Sequence, residues 1–215
     1  MKYSVVIVAA GQGRRMNLGY NKVYYTFPDG ETVLAKTMKV FEQDPRCTQI
    51  IVVTQKEDFI YYMKDVKARG SLIVVEGGDT RQESVQNGLK AVSEDVVFIH
   101  DGARPYVDQA SLDRLCDCLE NHDACLLTVP CKDTIKRVDK NGQVIETLVR
   151  SELIQAQTPQ CFKTELILDA YRKASATGVQ VTDDASVVEL MTDVPVIAVE
   201  GSYSNTKITT PEDIQ

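Results

Sequence analysis

The sequence predicts an α/β fold with an open, mostly parallel twisted sheet, helices on both faces and a projecting β-hairpin arm. Short apolar, β-rich runs alternate with longer amphipathic segments along almost the whole chain. This alternation is typical of right-handed strand–helix–strand crossovers, which pair strands in parallel and cover both faces of a sheet. Residues 132–150 interrupt the alternation with a hairpin pattern, which predicts the arm.

The individual elements follow from the spacing of the apolar residues. Continuous apolar runs are typical of strands buried on both faces, and apolar residues three or four positions apart are typical of helices with one buried face. Strands are predicted near 3–9, 49–54 and 72–76 and over the segments DVVFIH, ACLLTV and VPVIAVE. Helices are predicted near 32–43, 56–69, 80–92, 109–121, 163–175 and 182–191. The segment RSELIQAQTPQ, which follows the arm, is assigned to a loop.

The arm is predicted because apolar and polar residues alternate on each side of Asn141-Gly142. Asn-Gly is the strongest short signal for a hairpin turn. An isolated two-stranded ribbon is only marginally stable, so this one needs the rest of the fold or a second copy of itself. No repeat or linker is visible, and residues 1–215 are therefore interpreted as a single domain that carries the arm.

The overall charge limits the classes of partner. The net charge is −7, whereas general binding to nucleic acid or to an anionic membrane rests on a basic surface. Both classes are therefore excluded, and a bound phosphate must meet a local basic cluster. No segment approaches the roughly 18 apolar residues of a membrane span, and the first apolar run is too short for a signal peptide.

The cysteines and histidines do not form a metal-binding pattern. None of the six cysteines stands in a CxxC pair, and the only histidines are His100 and His122. We interpret the thiols as reduced and mostly buried, which is typical of a cytoplasmic protein. The six are Cys47, Cys116, Cys118, Cys125, Cys131 and Cys161.

Charged, glycine-containing loops follow several predicted strands, where an open α/β sheet binds its ligands. The first loop reads AAGQGRRM and is followed by Lys22. Gly11 and Gly13 are compatible with an ordinary turn and lack the third glycine of a dinucleotide fingerprint. Alternatively, the proximity of Arg14, Arg15 and Lys22 favours a polyphosphate, whose oxygens would meet backbone N–H groups and cations together.

The loop after the third predicted strand, EGGDTRQES, has two interpretations. In the first, Asp79 or Thr80 caps the following helix with the support of Glu83. In the second, Gly78, Asp79 and Ser84 present backbone and hydroxyl groups to the edge of a base. The two interpretations use the same residues, and the sequence leaves both open.

The fourth predicted strand ends in HDGARP, which contains a carboxylate and a guanidinium three residues apart. Asp101 could cap the helix that begins after Pro105, with Arg104 as its ion-pair partner. Otherwise Asp101 holds a metal ion or a sugar hydroxyl, and Arg104 clamps a phosphate through a bidentate fork.

The chain shows no Ser-His-Asp or Cys-His arrangement and no carboxylate pair suited to glycoside chemistry. Transfer of a nucleotidyl group to a phosphate monoester needs no catalytic base, because the attacking oxygen is already anionic near neutral pH. This reaction requires cations on the polyphosphate, in-line placement of the attacking oxygen and a divalent ion that bridges phosphates. A site rich in lysine and arginine but poor in histidine suits it.

Taken in order, these segments resemble the 2-C-methyl-D-erythritol 4-phosphate cytidylyltransferases of the non-mevalonate isoprenoid pathway. The resemblance covers nearly the whole chain and is carried by AAGQGRRM with Lys22, GGDTRQESV, HDGARP, KDTIKR, R-x(7)-TPQ, TDDAS and NTKITTPED. It implies a Rossmann-like sheet with a hairpin arm. It also implies a homodimer in which the arms embrace and each active site borrows residues from its neighbour.

The resemblance further implies a role for each matching residue. The catalytic residues would be Arg15, Lys22 and Lys207. The CTP-binding residues would be Ala9, Ala10, Gly11, Gly13, Gly78, Asp79 and Ser84. The acceptor would be bound by Asp101, Arg104 and Thr182, together with Thr134 and Arg150 from the arm of the other subunit. Mg²⁺ would be held largely by the phosphates, with Asp101 as a candidate ligand.

Two other functions are considered. Ribitol 5-phosphate cytidylyltransferases share the fold, CTP and the arm, but they resemble AGG in the first loop and typically lack TDDAS, so methylerythritol phosphate is favoured. A non-catalytic nucleotide-binding module should have lost the cations of the first loop. Because Arg15, Lys22 and Lys207 are all present, the sequence favours an enzyme.

Overall fold

A computed structural model describes residues 1–11, 19–64 and 71–214. The strands are β1 (Tyr3–Val8), β2 (Cys47–Thr54), β3 (Ser71–Glu76), β4 (Val96–Asp101), β5 (Ala124–Pro130), β6 (Lys136–Val138), β7 (Val144–Thr147), β8 (Ile154–Lys163) and β9 (Ile197–Glu200). The α-helices are α1 (Val33–Gln43), α2 (Lys56–Tyr62), α3 (Arg81–Leu89), α4 (Gln109–Cys118), α5 (Thr164–Thr177) and α6 (Asp184–Met191). Their alternation confirms the predicted α/β fold. None of the helices in these three ranges has both the length and the apolar character that a bilayer crossing requires.

Seven of the described strands form one sheet in the order β3-β2-β1-β4-β8-β5-β9. The first four in this order run parallel to one another, and β5 runs parallel to β9. Strand β8 is antiparallel to both of its neighbours. The chain moves outwards from β1 to β3 and then crosses to β4 on the other side of β1. The carboxyl ends of β1 and β4 therefore form the switch point at which open α/β sheets bind ligands.

The central strands are buried on both faces, which explains their apolar sequences. Along β1, Val5 and Ile7 belong to a core that includes Leu34 of α1 and Leu112 of α4. The intervening Val6 belongs to a second core, which α3, α5 and α6 cover. Successive side chains of a strand point to opposite faces, so a strand between two helical layers must be apolar at nearly every position.

Strand β8 corrects the sequence analysis, which assigned RSELIQAQTPQ to a loop. The strand lacks an apolar run because Gln157 and Gln160 are buried in it. Gln160 donates to Asp183 Oδ2 (2.9 Å) and accepts from the backbone N–H of Ala185 (2.8 Å), and Gln157 donates to the carbonyl of Ser202 (2.9 Å). Buried polar groups are tolerated when they are hydrogen-bonded. These partners come from later segments, so the local pattern does not reveal the strand.

The predicted hairpin is confirmed, with β6 antiparallel to β7 in a separate two-stranded sheet. The Asp139 carboxylate closes its loop by accepting from the backbone N–H groups of Asn141 and Gln143, each at 2.9 Å. Gly142 has a φ of +82°, a left-handed conformation that favours glycine. Every residue of both strands is exposed. The arm therefore has no apolar layer of its own chain on either face.

Candidate active site

A cavity of about 700 Å³ opens at the carboxyl ends of β1 and β4. Its wall combines the ends of these strands with the turn after β3, the segment around Lys22 and the loop that carries Lys207. The predicted site residues that line it are Ala9, Ala10, Gly11, Lys22, Gly78, Asp79, Ser84, Asp101 and Lys207. Segments that are distant in sequence thus meet around one space.

The remaining predicted site residues either fall outside the described ranges or do not line the cavity. Gly13 and Arg15, with the neighbouring Arg14, fall outside the described residues. Arg104 contacts Asp101 at 3.6 Å but does not line the cavity, and neither does the exposed Thr182.

The two arm residues of the predicted site are also away from the cavity of their own chain. Thr134 and Arg150 are exposed, and Arg150 Nη1 donates to the carbonyl of Lys132 at 3.2 Å. Lys132 in turn lies over the ring of Tyr203, 3.5 Å from its centroid. A single copy of the chain therefore does not bring the arm residues into the site.

The glycines after β3 allow the turn to lie against the end of β1. A Cβ atom on Gly77 would stand 2.3 Å from the Cβ of Ala10, and one on Gly78 would stand 2.3 Å from the Cβ of Glu83. No real side chain tolerates such approaches, so larger residues would displace the turn. Backbone atoms consequently form this part of the cavity wall.

The same turn begins α3, and here the capping interpretation is correct. Thr80 accepts from the backbone N–H of Glu83 at 3.1 Å, while the Glu83 carboxylate accepts from the N–H groups of Asp79 and Thr80. Ser84 Oγ accepts from the N–H of Gly78 (3.0 Å) and donates to the carbonyl of Thr80 (2.9 Å). The Ser84 hydroxyl therefore stabilises the turn, and its predicted contact with a base stays a prediction.

Lys22 is placed by the residue before it. Asn21 donates to the carbonyl of Ala9 at 2.6 Å and accepts from the N–H of Val23 at 3.3 Å. This side chain attaches the short 3-10 turn Lys22–Tyr24 to the end of β1. The arrangement places Lys22 in the cavity wall.

Asp101, the last residue of β4, is surrounded by cations. Its Oδ2 lies 2.7 Å from Lys207 Nζ and 3.6 Å from Arg104 Nε, and its Oδ1 lies 3.7 Å from Arg81 Nε. Burial opposes the ionisation of Asp101, but the three positive charges outweigh it and hold the pKa of this carboxyl group well below its usual range. Asp108, and not Asp101, caps α4.

Arg81 and Asp184 are functional candidates that the sequence analysis missed. The Arg81 guanidinium contacts both carboxylate oxygens of Asp184, at 3.1 and 2.6 Å, and Tyr171 donates its hydroxyl to Asp184 at 2.6 Å. Asp184 is fully buried, so this carboxylate depends on both partners. The only signal was position, since both residues stand inside GGDTRQES and TDDAS without an assigned role.

A second missed group fixes the backbone at Asp101. The N–H of Asp101 donates to Thr158 Oγ1 at 3.0 Å. Because the carbonyl of Arg104 can only accept, His100 Nε2 carries the proton and donates to it at 3.0 Å. In the neutral imidazole, Nδ1 then accepts from the Thr158 hydroxyl at 3.0 Å. Burial lowers the pKa of His100 to about 4, which keeps the imidazole neutral near pH 7.

The charges of this cluster suit an anion. Around Asp101, the cations Lys207, Arg81 and Arg104 outnumber the two carboxylates of Asp101 and Asp184. The cavity wall adds the cation Lys22 and the carboxylates Glu76 and Asp79. Within the described ranges, no group of three or more histidine, cysteine, aspartate or glutamate side chains could hold a metal ion. The described residues therefore do not form a protein cage for Mg²⁺, and the oxygens of Asp101 are already engaged by cations.

An open, mostly parallel sheet with Lys22, Arg81 and Lys207 in the wall of a cavity at its switch point is typical of a nucleotide-binding α/β protein, and the comparisons place the chain among the nucleotidyltransferases. The family model for 2-C-methyl-D-erythritol 4-phosphate cytidylyltransferase matches residues 3–215. The chain belongs to this family.

Individual relatives agree with the family match. The 2-C-methyl-D-erythritol 4-phosphate cytidylyltransferase of Halalkalibacterium halodurans is 46% identical, over 100% of this chain and 94% of the relative. That of Bacillus velezensis is 44% identical, over 100% and 93%. Among solved structures, 4-diphosphocytidyl-2C-methyl-D-erythritol synthase from Anaerococcus prevotii has a TM-score of 0.88 at 35% identity, covering 99% of this chain and 92% of that one. The Francisella tularensis cytidylyltransferase has a TM-score of 0.84 at 34% identity, covering 100% and 97%.

Proposed function

We infer that this protein transfers CMP from CTP to 2-C-methyl-D-erythritol 4-phosphate, giving 4-diphosphocytidyl-2-C-methyl-D-erythritol and pyrophosphate. Family membership over nearly the full chain supports this reaction. The observation that carries it is the single cavity that Lys22, the Gly77-Gly78 turn, Asp101 and Lys207 line together. The ribitol 5-phosphate alternative is not favoured, because the relatives and structures described above are named for methylerythritol derivatives.

In the proposed complex, the nucleotide occupies the side of the cavity formed by the ends of β1 and β3. The backbone at Ala9, Ala10 and Gly11 and the turn at Gly78 and Asp79 would contact the cytosine and ribose. Gly77 and Gly78 let this turn pack against Ala10 and Glu83, which sets the position of the wall that the nucleotide would meet. By its place in the first loop, Arg15 would join Lys22 on the triphosphate, with Gly13 giving backbone access.

The transfer step requires no general base from the protein. An oxygen of the acceptor phosphate, already an anion, forms a bond to the α-phosphorus of CTP, while the bond from that phosphorus to the β-bridging oxygen breaks. The electron pair leaves with pyrophosphate. Lys22 would stabilise the charge that develops on the leaving group, and Lys207, held by Asp101 at 2.7 Å, would position the incoming phosphate.

Magnesium is proposed as the cofactor, and it would enter with the nucleotide. Because the described residues offer no set of protein ligands, phosphate oxygens would supply most of its coordination. When bound, the ion neutralises negative charge on the triphosphate.

A homodimer through the arm is proposed to complete the acceptor site. The arm exposes Val138, Val144 and Ile145, each with more than half of its surface in solvent. Such an apolar ribbon is unstable alone and favours association with another copy. Thr134 and Arg150 would then reach the acceptor in the other subunit, beside Asp101 and Lys207 in its cavity wall.

The free thiols of the described cysteines support the proposal of a cytoplasmic location.

The test is release of pyrophosphate from CTP with each acceptor. Release is expected with methylerythritol phosphate, dependent on both the acceptor and Mg²⁺, with one product molecule for each pyrophosphate. Turnover with ribitol 5-phosphate alone would contradict the proposed acceptor. Binding of CTP without turnover of either acceptor would contradict the enzymatic proposal.

A further inference from the structure

Arg81 contacts two carboxylates: the buried Asp184, and Asp101, which lines the cavity. The Nη1 and Nη2 atoms form a fork on Asp184 at 3.1 and 2.6 Å, while Nε lies 3.7 Å from Asp101 Oδ1. One planar guanidinium thus serves two carboxylates in fixed relative positions. A lysine ammonium has no comparable fork.

Asp184 gives Arg81 a rigid anchor. It is fully buried at the start of α6, and Tyr171 of α5 donates to it at 2.6 Å. The start of α6 is itself attached to β8, because Gln160 contacts both Asp183 and the backbone of Ala185. The guanidinium is therefore held from behind by packed elements and does not depend on the nucleotide for its position.

Asp101 transmits this position to Lys207. Its Oδ1 faces Arg81 and its Oδ2 receives Lys207 Nζ at 2.7 Å, while Thr158 fixes its backbone. The Lys207 side chain is 38% exposed, and its contact with Asp101 orients the ammonium group. If Asp101 rotates, the ammonium group loses that contact.

We propose that Arg81 is a positioning residue for the transfer step. It fixes the Asp101 carboxylate, and through it the Lys207 ammonium group, in the orientation that the acceptor phosphate meets. This inference rests on the proposed function for the identity of the step. The control of Lys207 by Arg81 is itself a property of the ligand-free protein.

The main test is Arg81→Lys, which keeps the positive charge. A lysine here would neutralise the buried Asp184 and leave Asp101 Oδ1 without its partner. The variant should fold, bind CTP within about threefold of wild type and show a kcat roughly 10- to 100-fold lower. A wild-type kcat would overturn the proposal.

Arg46→Lys is the matched control. Arg46 also forms a fork on a fully buried aspartate, Asp44, and contacts a second carboxylate, Asp113, at 2.6 Å. It precedes β2 and lies at the amino-terminal end of the sheet, opposite the cavity. The same chemical change there should leave kcat within about twofold of wild type. If the two variants lose kcat in parallel with thermal stability, Arg81 has only a structural role.

Labelling of Lys207 tests the proposal without any acceptor. Reductive methylation of the ligand-free protein, read by mass spectrometry, should modify Lys207 several-fold faster in Arg81→Lys than in wild type or Arg46→Lys. An unchanged rate would overturn the proposal even if kcat falls. If wild type turns over neither acceptor, the proposed function fails, and the labelling rate still decides the role of Arg81.

Discussion

The cavity and the arm, two parts of the same chain, are stabilised in opposite ways. At the cavity, Asp101 is buried among three cations, and its backbone is fixed by Thr158. On the arm, every strand residue is exposed, and contacts such as the ion pair of Arg137 with Glu146 lie in solvent. Exposed ion pairs contribute little stability. One copy of the chain therefore preorganises the body of the site, whereas the arm has no such packing within its own chain, and in the proposed homodimer the second copy would supply it.

The largest effect is expected from the removal of a cation, Lys22, from the cavity wall. Lys22→Ala should lower kcat on the order of 10²-fold or more, because a charge contact to the leaving phosphates is lost, and should leave the fold intact. Steady-state release of pyrophosphate and a thermal melt measure the two effects. Lys39→Ala is the control, since Lys39 pairs with Glu31 on the surface of α1. Turnover of Lys22→Ala near that of the control would contradict the role of Lys22.

The free energy of unfolding should also depend on pH, because His100 is buried next to the site. His100 has a pKa of about 4 in the folded protein, against about 6.5 when unfolded, so the unfolded chain binds the extra proton first as the pH falls. The folded protein therefore loses stability as the pH falls from about 6.5 towards 4. Through His100, the free energy of unfolding decreases over this range by about 3 kcal/mol in all.

Urea unfolding between pH 7 and pH 4 measures this loss. The free energy of unfolding should fall less steeply in His100→Gln than in wild type. The exposed His122 provides the control, and His122→Gln should keep the wild-type slope. Equal slopes in all three proteins would show that His100 is not held neutral by burial.

The smallest effect is expected from a heterodimer that tests whether the arm of one subunit completes the site in the body of the other. Arg150→Ala and Lys22→Ala are each expected to be poorly active alone. A heterodimer of the two contains one site with an intact body and an intact arm, so it should recover about half of the wild-type activity. Lys22→Ala with Lys207→Ala is the control, because both changes affect the body and neither site is whole. No recovery in the first heterodimer would mean that Arg150 serves its own subunit.

Much of the fold could be predicted from the sequence because burial leaves a local pattern. The apolar runs of β1 and β4 and the Asn-Gly turn of the arm identify their elements without knowledge of the rest of the chain. Strand β8 could not be found in this way. Its glutamines are buried only because α6 and the loop after β9 supply hydrogen-bond partners.

The same distinction between local patterns and distant partners applies to the residues of the site. Lys22, Gly78, Asp101 and Lys207 could be predicted because each follows a strand or belongs to a motif, and the cavity brings them together. Arg81 could not be assigned a role, since its partner Asp184 is 103 residues away. The contacts of Ser84 with its own turn could not be separated from its predicted contact with a base, because both interpretations rest on the same local sequence.

A crystal structure with CTP and Mg²⁺ tests most directly whether the cavity at the ends of β1 and β4 is the nucleotide site. The base is expected to lie against the turn at Gly78, and the triphosphate is expected within hydrogen-bond distance of Lys22 Nζ. Lys207 Nζ should remain near Asp101, on the side from which the acceptor approaches. A nucleotide bound elsewhere, with this cavity occupied only by solvent, would contradict the account.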